Sequence, residues 1–323
     1  MTRDDLTLAA VPTALPVQSR ISTGSIGVQP GAEQGPLATM ANDLESEAFV
    51  APNVAIVQPT ATEPPLPGTT LPEHRILLVY GLPGDESYGM LASYDNLRLI
   101  EFLQGKRSEY EAIDPGRPIK LGVQLVASAA QNTPGHDGSY LRNTSVAIVY
   151  QYIEFTRAND MLLFLDVQIG RRTVPEEVQR LESYLKHPHV HLGIDPQFDV
   201  GRTEIPTQDS GSTSAADIRW AQDFLANLSI TGELPPKILI VHQLTDEMIL
   251  NRSLLRPVRG VQLVINVTRW GSVEEKSFSY RALVADDPIE FGGIMISGVW
   301  DSPAMTTEDV INLPYAPEIV IYQ

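Results

Sequence analysis

The sequence contains no cysteine, few basic residues and no long apolar segment. The absence of cysteine excludes disulfides, thiolate zinc sites, iron–sulfur clusters and cysteine nucleophiles. Lysine and arginine total 23 against 40 aspartate and glutamate residues, which gives a formal net charge of -17. A field of that sign repels phosphate backbones and anionic lipid headgroups. We therefore expect neither nucleic-acid binding nor docking on a membrane through a basic patch.

The chain of 323 residues is long enough for one large domain with an additional segment, or for two smaller domains. Hydrophobic residues make up 43% and charged residues 20%, so most of the chain can bury a core. No apolar run approaches the roughly 20 residues of a membrane-spanning helix, and we predict no transmembrane segment. The N-terminus does not read as a signal peptide. Either the protein is cytoplasmic, or the chain begins after a signal or anchor that is absent here.

Residues 1–72 differ in composition from the rest of the chain. They hold ten of the 25 prolines and a single aromatic residue, Phe49. A leader rich in proline and threonine is typical of a spacer between an anchor and a surface domain. This favours an extracytoplasmic, lipoprotein-like location, with a cytoplasmic one as the alternative. We expect residues 1–35 to be a disordered leader and residues 36–74 to be a linker that packs partly on the following domain.

From residue 75 onward, eight short apolar runs alternate with longer amphipathic stretches. The runs lack period-two alternation, as is typical of parallel strands that are buried on both faces. Alternation of strand and helix indicates βαβ units, and eight units over about 250 residues match a (β/α)8 barrel. The predicted strands are Ile76–Tyr80, Lys120–Val126, Met161–Val167, Val190–Ile194, Ile238–His242, Val261–Val267, Gly293–Ile296 and Glu318–Tyr322.

The main rival to the barrel is an open, doubly wound sheet with a glycine-rich phosphate loop after its first strand. The turn at residues 81–85 lacks GxGxxG, and Pro83 removes an amide donor. We therefore predict an α/β fold in which residues 75–323 form a TIM-like (β/α)8 barrel whose last outer helix is missing. We expect residues 36–60 to cover the bare flank between the first and last strands. The predicted helices are Asn96–Glu111, Tyr140–Thr156, Pro175–Lys186, Ser214–Leu228, Val273–Leu283 and Thr306–Ile311.

The active site of a TIM barrel lies at the carboxyl ends of its strands. Asp166 and Asp195 end neighbouring apolar runs, and two such carboxylates can divide into acid and base, as in glycosidases. The alternative is that each aspartate caps a loop or pairs with Arg171 or Arg172. His242 ends the fifth strand and is either a proton carrier or a satisfied core histidine. Further residues near the strand ends that could bind substrate are Tyr80, Gln124, Gln168, Gln197, Gln243, Asn266, Trp270 and Asp301.

Three histidines, His187, His189 and His191, have HxHxH spacing. They fall at the start of the fourth strand, away from the predicted site, and only alternate strand residues share a direction. We interpret them as packing and surface histidines, with a metal site as the alternative. The sequence contains no HExxH, Walker, GxSxG or EF-hand motif. We predict neither a metal nor a cofactor.

Several stretches carry a resemblance to a known group of proteins. They are LVYG at 78–81, FLDVQIGR at 164–171, VHLGIDPQF at 190–198, LPPKILIVHQ at 234–243 and VIYQ at 320–323. Through them, the chain from Ile76 to Gln323 resembles poorly characterised bacterial TIM-barrel proteins of the secreted or lipoprotein type, many of them hypothetical proteins. The resemblance implies the barrel fold and an extracytoplasmic location, but no agreed activity.

This chain departs from the pattern of that group at several acidic positions. The group's fourth strand ends in Asp-Pro-Glu-Phe, where this chain has Gln197, and its sixth strand carries Asp-x-Asp-Gly, where this chain has Asn266 and Thr268. The group's Gly-x-x-Asp-Ala loop ends in Asn, whereas residues 211–215 here read GSTSA and the loop ends in Arg219. An amide keeps the shape of a carboxylate but takes no proton at neutral pH. If the lost acids carry proton transfer or a metal in that group, the resemblance implies that this chain keeps binding and loses catalysis.

Two functions stay open. The first is a hydrolase-like enzyme acting on cell-envelope glycan, with Asp166 and Asp195 as acid and base. The second is a degenerate barrel, a pseudoenzyme that binds a ligand or belongs to a surface assembly without turnover. The retained aspartate pair favours the first function, and the lost acids favour the second. In both cases we expect the partner to be a glycan or another cell-surface component.

Overall fold

The computed structural model describes residues 66–323. Eight parallel strands form a closed barrel, because the first strand pairs both with the second and with the last. This confirms the predicted TIM-like α/β barrel. The barrel strands are β1 (Arg75–Gly81), β2 (Ile119–Ala130), β3 (Leu162–Gly170), β4 (Val190–Asp199), β5 (Lys237–Gln243), β6 (Val261–Val267), β7 (Phe291–Ile296) and β8 (Ile319–Tyr322).

All eight predicted strands are present, and the differences lie at their ends. β2 continues to Ala130 and β4 to Asp199, beyond the ends that the apolar runs indicated. In β2 the pairing with β3 shifts register between Val126 and Ser128. Polar and small residues thus extend these two strands past the apolar core, at the carboxyl end of the barrel.

Helices connect most of the strands, and two of the predicted helices, at 140–156 and 175–186, differ from those observed. They are α1 (Asn96–Ile113), α2 (Val146–Ala158), α3 (Val174–Arg180), α4 (Glu182–Leu185), α5 (Ala215–Thr231), α6 (Val273–Tyr280) and α7 (Thr307–Ile311). The predicted helix from Tyr140 is wrong in its first residues. Leu141–Asn143 instead form a short antiparallel strand on β2, and α2 begins after Ser145, whose side chain accepts from the amide of Ile148. The predicted helix at 175–186 divides at Leu181 into α3 and α4.

The core consists of two apolar layers, one inside the barrel and one between the strands and the helices. Successive strand residues face opposite sides, so Ile240 lies in the inner layer and Val241 in the outer one. Burying one such aliphatic side chain contributes about 1.5–3 kcal/mol. The interior is apolar toward the amino ends of the strands, with Ile76, Leu78, Phe164, Ile238, Ile240, Val264, Ile319 and Ile321.

The predicted linker is described only from residue 66. Leu71 belongs to the inner apolar layer and is buried. Its carbonyl accepts from Nε2 of Gln262 at 2.6 Å, and its amide donates to Oε1 of the same side chain at 3.2 Å. The segment that precedes β1 therefore packs at the amino end of the barrel interior.

The outer flank at β8 contacts helices of the barrel itself. The Tyr322 ring lies 5.4 Å from that of Phe102, and its hydroxyl lies 3.4 Å from the hydroxyl of Tyr110, so α1 packs on β8. From α7, Thr307 donates to Glu109 of α1 at 2.9 Å. Residues 36–60, which we predicted to cover this flank, lie outside the described residues, and that expectation stays a prediction.

Candidate functional site

Five buried polar side chains from five different strands meet inside the barrel near the carboxyl ends of the strands. We call them the polar network and this end of the barrel interior the mouth. The strand pairing places Tyr80 beside Gln124, and His242 beside Asn266. All five side chains are at most 5% exposed. The polar network consists of Tyr80 of β1, Gln124 of β2, Asp166 of β3, His242 of β5 and Asn266 of β6.

Asp166 is the centre of the polar network. Its Oδ1 lies 2.8 Å from Nε2 of Gln124 and 3.1 Å from Nε2 of His242. The Tyr80 hydroxyl donates to its Oδ2 at 3.4 Å. A buried carboxylate is costly unless it is hydrogen-bonded or paired, and here both oxygens have partners. With no exposed surface, the Asp166 side chain is an internal group of the network.

His242 connects Asp166 to the sixth strand. Its Nδ1 lies 3.0 Å from Nδ2 of Asn266. Nε2 of the ring also lies 2.7 Å from Nε2 of Gln124. Each ring nitrogen therefore faces an amide nitrogen, and Nε2 faces the Asp166 carboxylate as well, so the donor and acceptor roles of the ring depend on its tautomer. Burial lowers the pKa of His242, but the charges of Asp166 and Asp195 and the hydrogen bond to Asp166 outweigh it, so the pKa lies above its ordinary value.

A second proton on His242 needs an acceptor at Nδ1. The Asn266 carbonyl oxygen is buried and has no hydrogen-bond partner among residues 66–323. A half-turn of the amide would bring this oxygen to Nδ1 and satisfy both groups. Asn266 can therefore hydrogen-bond to Nδ1 in either charge state of the ring, by donating from its amide or by accepting at its carbonyl oxygen.

Two glycines make room for the polar network. A Cβ on Gly193 of β4 would fall inside the contact radius of Oδ1 of Asp166 and lie 2.8 Å from Nε2 of Gln124. A Cβ on Gly293 of β7 would lie 2.7 Å from Oδ1 of Asn266. Our sequence reasoning missed both positions. The available signal was a glycine inside an apolar strand, which often marks a close approach of another group.

Asp195 lies closer to solvent than Asp166. In the β3–β4 register Asp166 pairs with Gly193, whereas Asp195 pairs with Gln168, one step nearer the mouth. Asp195 is partly exposed, and its Oδ1 accepts from the amide of Gln197 at 3.1 Å. Burial, countered by His242 and reinforced by Asp166, raises its pKa to about 6. Of the two predicted aspartates, only Asp195 keeps some exposed surface.

Asp199, at the end of the same strand, is a second carboxyl with a raised pKa, also to about 6 because of burial. Its Oδ2 accepts from the Thr213 hydroxyl at 2.6 Å, and the charge of Asp217 raises the pKa further. Sequence analysis did not select this residue as a site residue. The hydrogen bond to Thr213 connects β4 to the start of α5. Asp199 is therefore a suitable comparison for Asp195, because its carboxyl has a similar pKa and a structural hydrogen bond.

The remaining predicted residues divide between the mouth and the surrounding wall. Gln168 is buried, and its Oε1 accepts from the amide of Ala130 at 2.6 Å, which ties the extended end of β2 to β3. Gln197 lies near the end of β4 and is partly exposed, and Trp270 is half exposed in the loop after β6. Gln243 lies elsewhere: it follows the inward-facing His242, and its Nε2 donates to the Thr245 carbonyl at 3.1 Å.

Asp301 also lies outside the polar network. Its carboxylate pairs with Lys276 at 3.0 Å and accepts from the amides of Gly271 and Ser297. The arginines proposed as alternative partners of the aspartates are engaged elsewhere in the described part of the chain. Arg172 pairs with Asp137 and Glu177, and Arg171 donates to the Glu204 carbonyl.

The HxHxH histidines lie away from the mouth. His191 packs on Phe164, with ring centroids 5.0 Å apart, and its Nδ1 accepts from the amide of Ile238 at 3.1 Å. His189 contacts the carbonyl of Ile153. Burial lowers the pKa of both histidines. Within residues 66–323, no cluster of three or more histidine, aspartate or glutamate side chains is arranged to hold a metal ion.

No protein-family model matches the chain, and no curated protein matches it either. Within residues 66–323, no helix is both long enough and apolar enough to cross a membrane. The resemblance to secreted or lipoprotein-type barrels stays a prediction from sequence motifs.

Proposed function

We propose that the mouth of the barrel is a hydrolase-like acid–base site for a cell-envelope glycan, with Asp195 as the residue that exchanges a proton with the substrate. The supporting observation is Asp195, a partly exposed residue whose buried carboxyl has a pKa of about 6 and which lies one step nearer the mouth than the buried Asp166–His242 pair. A general acid works best when its pKa lies near the working pH. When two carboxyl groups lie in unequal environments, their pKa values differ and they commonly take different roles in catalysis.

In this proposal the two aspartates have different tasks. Protonated Asp195 gives its proton to the glycosidic oxygen as the bond to the anomeric carbon breaks. Water then adds to that carbon, and the proton it releases restores Asp195. Asp166 is buried with both oxygens engaged, so it acts through its charge, which raises the pKa of Asp195 and of His242. It is a positioning residue, which revises its predicted role as acid or base.

The choice of a glycan has two supports. Trp270 and Trp300 follow β6 and β7 at the carboxyl-terminal end of the barrel, and the two residues are 47% and 56% exposed. Exposed aromatic rings can stack on the apolar faces of sugars. The net charge of -17 disfavours polyanionic ligands and is compatible with a neutral one. A cell-envelope substrate also agrees with the extracytoplasmic location that the leader composition favours.

The second candidate function is binding without turnover. Glycosidases ordinarily place two carboxyl groups on either side of the scissile bond, and Asp166 is too deeply buried to be one of them. Asn266 and Gln197 are amides where the similar bacterial proteins carry acids. A degenerate barrel that binds a glycan or forms part of a surface assembly would have these features.

A hydrolysis and binding screen on the purified chain separates the two functions. The screen pairs neutral cell-envelope glycans with the parent, Asp195→Asn and Asp199→Asn. If Asp195 is the proton carrier, Asp195→Asn loses about 10²–10⁴-fold in turnover and keeps binding. Asp199→Asn, which alters a carboxyl of similar pKa on the same strand, keeps both. Binding without any turnover by the parent would instead support the second function.

A further inference from the structure

Trp270 and Trp300 lie side by side although they belong to different loops. Their ring centroids are 5.7 Å apart and the ring planes differ by 32°. Both residues are about half exposed. Buried aromatic pairs contribute core packing, but a pair that leaves this much ring surface in water contributes less of it. We call these two residues the tryptophan platform.

A buried ion pair connects the two loops that carry the tryptophan platform. The Lys276 ammonium of α6 is 3.0 Å from Oδ2 and 3.2 Å from Oδ1 of Asp301, and both side chains are at most 1% exposed. Lys276 also donates to the carbonyl of Arg269 at 2.9 Å and to that of Met295 at 2.6 Å. The ammonium therefore holds the residue before Trp270 and the end of β7 together.

Asp301 connects the same two loops from the other side. Its Oδ1 accepts from the amide of Gly271 at 3.1 Å, and its Oδ2 accepts from the amide of Ser297 at 2.8 Å. Gly271 directly follows Trp270, and Asp301 directly follows Trp300. Each tryptophan is thus adjacent in the chain to a group that the ion pair holds. Such an arrangement keeps two exposed rings in one relative orientation.

We propose that the tryptophan platform is a binding subsite for the face of a neutral pyranose ring, and that the Lys276–Asp301 pair positions its two rings. The platform offers apolar ring faces, and the carboxylate of Asp301 is already neutralised by Lys276. The strongly acidic chain would repel a sulfated or carboxylated sugar. The proposal deepens the proposed function, because it names a subsite for that glycan, but binding at the platform does not require turnover.

Tryptophan fluorescence can test the subsite directly. The chain has three tryptophans, and Trp220 lies in α5, stacked on Phe224. In a Trp220→Phe background, tryptophan emission comes only from the platform. Titration with the tetramer of β-1,4-linked N-acetylglucosamine should give a saturable change in emission. Trp270→Ala or Trp300→Ala in the full chain should weaken binding, measured by calorimetry, by about tenfold each.

The control for the platform is Phe278→Ala, which removes another exposed aromatic ring, on α6. It should leave the affinity unchanged. The proposal is overturned if the parent shows no saturable binding of the neutral tetramer, or if both alanine variants bind like the parent. It is also overturned if a heparin fragment binds more tightly than the neutral tetramer at physiological salt. If both variants instead abolish self-association of the chain without affecting sugar binding, the platform is a protein contact and the proposal fails.

The positioning role is tested with Lys276→Met and with the double variant Lys276→Met/Asp301→Leu. Both should weaken binding of the tetramer and reduce the near-ultraviolet circular dichroism of the coupled indoles, even where the melting temperature recovers in the double variant. Unchanged affinity and dichroism in a folded double variant would refute the positioning role. Asp195→Asn separates the two proposals: loss of turnover with tetramer binding retained supports both, whereas a parent that binds without turnover leaves only the platform.

Discussion

Nε2 of His242 lies 3.1 Å from Oδ1 of Asp166, and both side chains are shut off from solvent. The pair sits one step below the partly exposed Asp195 in the barrel interior. Asp166 therefore cannot reach a substrate, but its charge acts on both neighbours. The relationship of these two residues is the basis for separating a proton-exchanging group at the mouth from a positioning pair beneath it.

The Asp166→Asn substitution should lower the pKa of both His242 and Asp195. The charge of Asp166 raises both pKa values, and an amide of the same shape removes that charge. Nuclear magnetic resonance titration of the imidazole and carboxyl signals measures the change. His189 contacts the carbonyl of Ile153 on the outer side of the barrel, so its titration should not move. A His242 pKa that stays constant or rises would contradict this account of the network.

The Gly193→Ala substitution should destabilise the fold by about 1–3 kcal/mol, the usual range for overpacking a core. The added methyl group would collide with Asp166 and lie 2.8 Å from Nε2 of Gln124. Urea denaturation measures the loss. Gly105→Ala is the matched control: Gly105 is an exposed residue of α1 with open space around its Cβ position. That change should stabilise the protein by up to about 1 kcal/mol through helix propensity. Equal effects at the two positions would rule out the steric explanation.

The unfolding free energy of the Asp195→Asn variant, relative to that of the parent, should increase as the pH rises from about 4 to above 6. Burial raises the pKa of Asp195 from 3.8 to about 6, so the folded state binds more protons than the unfolded state in that window, and the parent loses stability as the pH rises. Below pH 4 the Asp195 carboxyl is protonated in both the folded and the unfolded state, and its contribution to the stability of the parent is fully present. The asparagine variant lacks this loss, which amounts to at most about 3 kcal/mol.

The measurement for Asp195 is the difference in unfolding free energy between variant and parent at a series of pH values. Taking the difference removes the contributions of titrating groups that do not interact with Asp195. His242 is titrated separately in both proteins, because the charge of Asp195 raises its pKa. Gln197→Ala, two residues further along β4, removes no titrating group, and its difference from the parent should be flat. A flat difference for Asp195→Asn as well would show that the carboxyl is not destabilised by burial.

The Lys276→Met substitution should cost about 3–5 kcal/mol, because it leaves the buried Asp301 charge without its partner. The double variant Lys276→Met/Asp301→Leu should recover part of that loss, since neither charge remains. Arg281→Ala gives the contrast, because the Arg281–Asp286 pair is exposed on both sides and such pairs contribute up to about 1 kcal/mol. Chemical denaturation of the three variants provides the comparison. A Lys276→Met variant as stable as Arg281→Ala would be inconsistent with a buried ion pair.

The barrel could be predicted from the sequence because its strands are continuous apolar runs. A run such as residues 190–194 is buried on both faces, so its strand character is visible without any knowledge of its neighbours. The helix predicted from Tyr140 was wrong at its start because local backbone geometry opposed it. Tyr140 has a positive φ of 60°, and the next residues pair with the end of β2. Hydrophobic periodicity does not report either effect.

The membership of the site was partly predictable, but the depth of each residue was not. Asp166 and Asp195 both end apolar runs, and nothing in the two runs distinguishes them. In the same way, neighbouring Gln243 and His242 both stand at the end of β5, yet only His242 joins the polar network. Runs without alternation do not show which residues face inward.

The sequence by itself determined the eight strands, their parallel order and the end of the barrel where polar residues collect, because burial of apolar runs is a local property of the chain. Only the tertiary structure decided that Asp166 is covered while Asp195 meets solvent. That difference arises from the stagger between neighbouring strands, which pairs Asp166 with Gly193 and Asp195 with Gln168. The stagger is set by closure of the whole barrel, and no single strand records it.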